Sequence, residues 1–334
     1  MTTIFAGLSF LNLRMKLVVT PAFFDGTLER NHHLLVAFKY SNNEQSRLLQ
    51  YLVPQAFVRV LGLSVQSAYI LQRWAFVTVA FLLFYLYLRR WFSDSLAAAC
   101  VFLLAAILPF SYMNDLQESA PLLMVTFVAG LWAMRDGPVW LIAAALFVGA
   151  LNNESTLVLP FVYFLWRVRP NVRDLWGATW RSAVIAFPPY AATAIIRWAT
   201  RDRPRLAAFW QWDTNVSFLR QQWHLSPFQW YRMTFYFPIF IFGTLWLFAY
   251  LHWKEKPRFM RASLVTVPLL LVSSMVTGII QEVRLLIPLG FVIIPAALHW
   301  LVPDPAGAAL FGEAEPRIPV DATPTESQPA GRGL

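Results

Sequence analysis

About ten apolar stretches follow one another along this chain, parted by short polar turns, and nothing else limits its fold so severely. They lie at about 4–24, 68–88, 95–113, 119–134, 138–151, 155–166, 182–196, 234–252, 262–280 and 285–302. A helix needs roughly 20 such residues to cross the hydrocarbon of a bilayer. Lipid offers no partner to backbone N–H and C=O groups, so a spanning segment must satisfy its own, as a helix does. With 58% hydrophobic and 13% charged residues, and a mean hydropathy of +0.51, the whole chain fits this solvent. The expected class is all-α, a polytopic transmembrane helical bundle. Several stretches fall short of a full crossing and read as short hairpins.

The net charge of +9 is mostly arginine and sits between the apolar runs. It reads as a topology signal and as phosphate-contacting surface, with no nucleic-acid footprint. Arg89, Arg90, Arg135, Arg167, Arg169, Arg173, Arg181, Lys254, Lys256, Arg258 and Arg261 are expected on the cytoplasmic side. They share one side only if 138–151 and 155–166 are two passes joined at Asn152–Glu154. Arg197, Arg201, Arg203 and Arg205 then fall on the outer side, against the usual bias. The single cysteine, Cys100, leaves no disulfide or cysteine-based metal site. Arg14 and Lys16 interrupt the first apolar run, which does not resemble a cleavable signal. The expected organisation is a membrane domain over 1–302 with outer loops at about 25–67 and 197–233. Residues 303–334, rich in Pro, Ala, Gly and Glu, form an expected disordered cytoplasmic tail.

Under this topology Asp25, Glu29, Glu44, Asp115, Glu118, Glu154 and Glu282 all face outward. A charge at the bilayer centre costs about 2.5–3.5 kcal/mol on insertion scales, so NNES at 152–155 is read as a hairpin tip. For any one of these acids the plain reading is a polar turn; their shared side raises the functional one. His32 and His33 have no companion ligands at a metal-binding spacing, and no metal site is assigned. The acids could still hold a divalent ion through oxygen ligands. The aromatic run at 209–237 reads as an interfacial belt, with stacking on a sugar ring as a second use.

The stretch ALNNESTLVLPF at 150–161, followed by LWRVR, resembles a hairpin motif of the GT-C superfamily of integral-membrane glycosyltransferases. QEVRLLIPLGFVIIP at 281–295 is similar to a late element of the same superfamily, and Asp25 matches by position. The resemblance implies a GT-C-like fold and transfer of a sugar from a polyprenyl-phosphate-linked donor to an envelope glycan, lipid or protein. It implies a bacterial plasma membrane with the active face outward. It casts Asp25 and Glu154 as catalytic acids, Arg284 and the set Arg201, Arg203, Arg205 as lipid-phosphate ligands, and Glu29, Asp115, Glu118 and Glu282 as supporting acids. Guanidinium suits the phosphate because it binds bidentately and stays charged. The sequence departs from the pattern at Asn153, where the superfamily often carries Lys or Arg, and in spreading the acids after the first span over Asp25 and Glu29. DGTLE at 25–29 is equally a helix-start signal. The other reading is a non-enzymatic membrane protein, either a transporter or an inactive GT-C-like scaffold with a membrane-protein partner. Broken apolar segments fit a transporter, but no related halves are visible.

Overall fold

The computed structural model describes residues 1–41, 43–112, 116–168, 171–201, 210–223, 241–279 and 282–302. Regular structure among these is helical throughout, without strands. Five helical stretches are long and apolar enough to cross a membrane: Thr2–Val19, Val65–Leu88, Asp94–Ser111, Arg258–Thr277 and Val283–Leu301. These make the chain a membrane protein by length and composition. The other expected segments in the described residues are shorter or more polar helices, so ten spans are not seen as ten long apolar rods.

Helices α1 (Thr2–Val19), α2 (Thr27–Val36), α3 (Leu48–Leu61) and α4 (Val65–Leu88) come first. α1 stops at Val19, before the expected bound near 24, because Pro21 opens a separate turn at Pro21–Phe23. α3 ends on Gly62 at φ 65°, a left-handed position that suits glycine, and Ser64 then caps α4 by accepting from Ser67 N–H at 3.2 Å. Next come α5 (Asp94–Ile107), α6 (Ser119–Asp136), α7 (Val139–Ala150), α8 (Leu159–Arg167) and α9 (Val172–Ala199). α7 and α8 form the expected hairpin around 151–158. α9 runs well beyond the expected 182–196 and continues through Pro188 and Pro189. Helix α10 (Trp212–Trp223) occupies part of the second expected loop; 202–209, 224–240 and the tail at 303–334 lie outside the described residues.

Phe84 of α4, Phe127 of α6 and Phe291 of the last helix are fully buried together, with Phe84 and Phe291 edge to face at 5.0 Å. In a lipid solvent such dispersion contacts, rather than escape from water, hold helices together. The turns sort into two ends. At one, Arg90 pairs with Asp136 at 3.0 Å, Arg135 lies over Trp91, Arg258 donates to the Val168 carbonyl, and His252 stacks on Trp300. At the other, Leu49 N–H donates to Leu151 O at 3.3 Å, Asn152 Nδ2 donates to Ser119 O at 2.8 Å, and Asn215 Nδ2 donates to Gly278 O at 2.7 Å. The first end gathers basic turns. The second gathers Glu44, Glu118, Glu154 and Glu282.

Candidate functional site

The acid-bearing end contains a buried polar core built by six chain segments. Its floor is Arg73, on α4, which donates to Glu118 Oε2 at 2.5 Å; Arg73 is 5% exposed and Glu118 not at all. The Arg73 guanidinium also stacks over Tyr112 at 4.8 Å, and the Tyr112 hydroxyl donates to Asn12 Oδ1. Lys16, one turn further along α1, is buried and has Glu118, Arg73 and Arg284 as neighbouring charges. An ammonium and a guanidinium inside apolar helices carry a cost that a nearby carboxylate offsets only in part.

Above the floor, Gln50 Nε2 donates to buried Glu44 at 3.0 Å, and Gln72 Nε2 reaches Gln50 O at 3.4 Å. Arg47 donates to Gln117 Oε1 at 2.7 Å and to Ser119 Oγ at 3.5 Å. At the rim, Arg284 donates to Glu282 Oε2 at 2.8 Å, and both feel Arg47 and Glu44. Burial pushes the carboxyl groups of Glu44 and Glu282 above the usual glutamate range; Arg47 pulls each back in part. Among the described residues Lys16, Arg47, Arg73 and Arg284 thus gather around Glu44, Glu118 and Glu282.

The expected site residues divide. Glu118, Glu282 and Arg284 enter this core. Asp25 does not: its carboxylate is exposed, and hydrogen bonds from the Thr27 hydroxyl and from Thr27 N–H at 2.9 Å hold its pKa below the ordinary value. It lies just ahead of α2, whose N-cap is Gly26, and its bond reaches the N–H of that helix's first residue. Glu154 is taken up by Arg197 in a two-pronged ion pair on a half-exposed flank, with Asn153 capping the turn through Ser155 N–H at 3.0 Å. That pairing gives Arg197 a local partner. Glu29 lies 3.8 Å from exposed His33. Arg201 lies over Trp198 at 5.2 Å. Asp115, Arg203 and Arg205 lie outside the described residues.

Among the described residues no group of three or more His, Cys, Asp or Glu is arranged to hold a metal ion. His32 is instead wedged between the Tyr69 hydroxyl at 3.2 Å and Gln55 Oε1 at 2.7 Å, and burial lowers its pKa. The residues that sequence reasoning passed over are Arg73, Lys16, Arg47, Gln50 and Gln72. Lys16 and Arg73 left a signal, since an ionisable side chain inside an apolar helix is a functional hypothesis by default. No family model, curated protein or solved structure matches this chain.

Proposed function

We propose that this chain is a multi-pass glycosyltransferase of GT-C-like plan in a bacterial plasma membrane, taking a sugar from a polyprenyl-phosphate donor at its outer face. The observation that carries the reading is the clustering of Lys16, Arg47, Arg73 and Arg284 with their carboxylate partners at one end of an apolar bundle. A lipid phosphate would deliver negative charge there while its prenyl chain stays in the hydrocarbon. The basic turns at the opposite end support a cytoplasmic assignment for that end and hence an outward site.

In this reading Arg284 and Arg47 hold the phosphate through charge-assisted hydrogen bonds, and Glu282 orients Arg284. Glu44 replaces Asp25 as the base. The acceptor oxygen attacks the anomeric carbon, the bond from that carbon to the phosphate oxygen breaks, and polyprenyl phosphate leaves with the bonding pair. Glu44 takes the acceptor hydroxyl proton. A carboxylate whose proton affinity is raised by burial is a better base than exposed Asp25, whose affinity is lowered.

The test is reconstitution in liposomes with radiolabelled polyprenyl-phosphate hexoses and pentoses, followed by separation of lipid and product fractions. Label should leave the donor lipid for an acceptor, and Glu44→Gln should cut transfer at least tenfold in a folded protein. Binding of donor without transfer by the unaltered chain would favour the non-enzymatic reading instead.

A further inference from the structure

The last carbonyls of an α-helix find no partner inside the helix and must be met from elsewhere. The helix Thr266–Thr277 has them met by α10. Gln211 N–H, just ahead of α10, donates to Val276 O at 2.8 Å. Asn215 Nδ2, one turn into α10, donates to Met275 O at 2.8 Å and to Gly278 O at 2.7 Å. Asn215 is 1% exposed, and the two amide hydrogens match the two short bonds. The second of these bonds reaches past the helix. Gly278 opens the turn that leads to Glu282 and Arg284, where Glu282 N–H donates to Ile279 O at 2.8 Å and Leu285 N–H to Glu282 O at 2.9 Å. A Cβ on Gly278 would come 2.9 Å from Leu285 Cδ1, so Gly278 packs directly on the neighbour of Arg284. Val283, Leu286 and Ile287, each at most 1% exposed, tie the same stretch into the bundle.

We propose that Asn215 is a positioning residue for Arg284: by holding Gly278 it fixes the turn that sets the guanidinium, beside Glu282, where a lipid phosphate is bound. The inference rests on the polyprenyl-phosphate reading and adds the residue that places its arginine. A guanidinium grips phosphate through a planar fork, and such a fork works only when its support holds it to within about 0.5 Å. Glu282 orients the side chain of Arg284, at 2.8 Å, but it stands on the same turn and cannot fix that turn in space. Asn215 can, because it comes from a separate helix 63 residues away from Gly278 in the chain. This gives α10 a use beyond covering the membrane surface. If Asn215 were a helix cap alone, its loss would lower stability and leave phosphate affinity where it was.

Equilibrium binding of polyprenyl phosphate to the detergent-solubilised full chain tests this through a double-mutant cycle, which reports whether two residues act through one another. Asn215→Leu keeps the volume and removes the donor, and should weaken binding at least tenfold in a folded protein. Gly278→Ala strikes the same link from its other side, should do the same, and serves if the first variant fails to fold. Arg284→Lys keeps the charge as a point on a flexible stem and loses the fork. In that background either change should weaken binding less than twofold further. Unchanged affinity in a folded Asn215→Leu or Gly278→Ala protein overturns the proposal, and so does a tenfold loss that persists beside Arg284→Lys. Either result leaves the polyprenyl-phosphate reading standing, whereas failure of the unaltered chain to bind the lipid sinks that reading and this inference with it.

Discussion

Arg73 and Glu118 hold each other at 2.5 Å in a place almost closed to solvent, and each is the other's main compensation for burial. Removing one charge strands its partner, which costs about 3–5 kcal/mol for buried pairs, while removing both together is often nearly neutral. Arg73→Met and Glu118→Leu should therefore each lower the melting temperature in detergent sharply, and the double variant should recover much of the loss. Asp25 should behave differently. The Asn side-chain oxygen can accept the same Thr27 N–H bond, so Asp25→Asn is expected to cost only a few tenths of a kcal/mol and to leave transfer intact. The pH profile separates Glu44 from Asp25 as base. Glu44 works as base only when deprotonated, and burial raises its pKa, so transfer should rise with pH through a limb lying above the ordinary glutamate value of 4.5. A base at Asp25, with its lowered pKa, would put that limb below the ordinary carboxylate range. Asp25 was legible both as an acid at the mouth of a loop and as part of the helix-start letters DGTLE; its bond to Thr27 follows from the neighbour two residues on.

The hairpin of α7 and α8 was the most legible element, because apolar, polar and apolar blocks succeed each other within about thirty residues. Its tightness was not legible. A Cβ built on Gly149 would come within 2.6 Å of the Thr156 side chain, which is fully buried against it. Gly149→Ala should cost about 1–3 kcal/mol by overpacking, and Thr156→Ser in the same chain should relieve part of it, as read from thermal unfolding. The length of α9 also escaped the sequence, since Arg173, Asp174, Arg181 and two prolines break the apolar signal. Its exposed stripe of Trp176, Trp180, Phe187, Ile195 and Trp198 explains how it can still sit in lipid. The nineteen residues of helix from Trp180 to Trp198 rise about 27 Å, close to the hydrocarbon thickness.

On the scale of the molecule, the core depends on partners far apart in sequence: Arg73 and Glu118 are 45 residues apart, Arg47 and Gln117 are 70. No local pattern encodes such meetings, which is why the membrane class and the clustering of acids at one end could be read and the site's floor could not. The sorting of turns into two ends predicts accessibility. In a Cys100→Ala background, single cysteines at exposed Arg59 and Asp213 should label from one side of sealed vesicles, and at exposed Arg89 and Lys254 from the other. Labelling of positions 59 and 254 from the same side would undo the assignment of the ends. The central claim, that the cluster holding Arg47 and Arg284 receives a lipid phosphate, is tested most directly by native mass spectrometry of the full chain released from detergent with added polyprenyl phosphate. A single bound lipid is predicted for the unaltered chain and for Asp25→Asn, and its loss for the paired change Glu282→Gln with Arg284→Gln. No adduct on the unaltered chain, or an equal adduct on all three folded proteins, would contradict it.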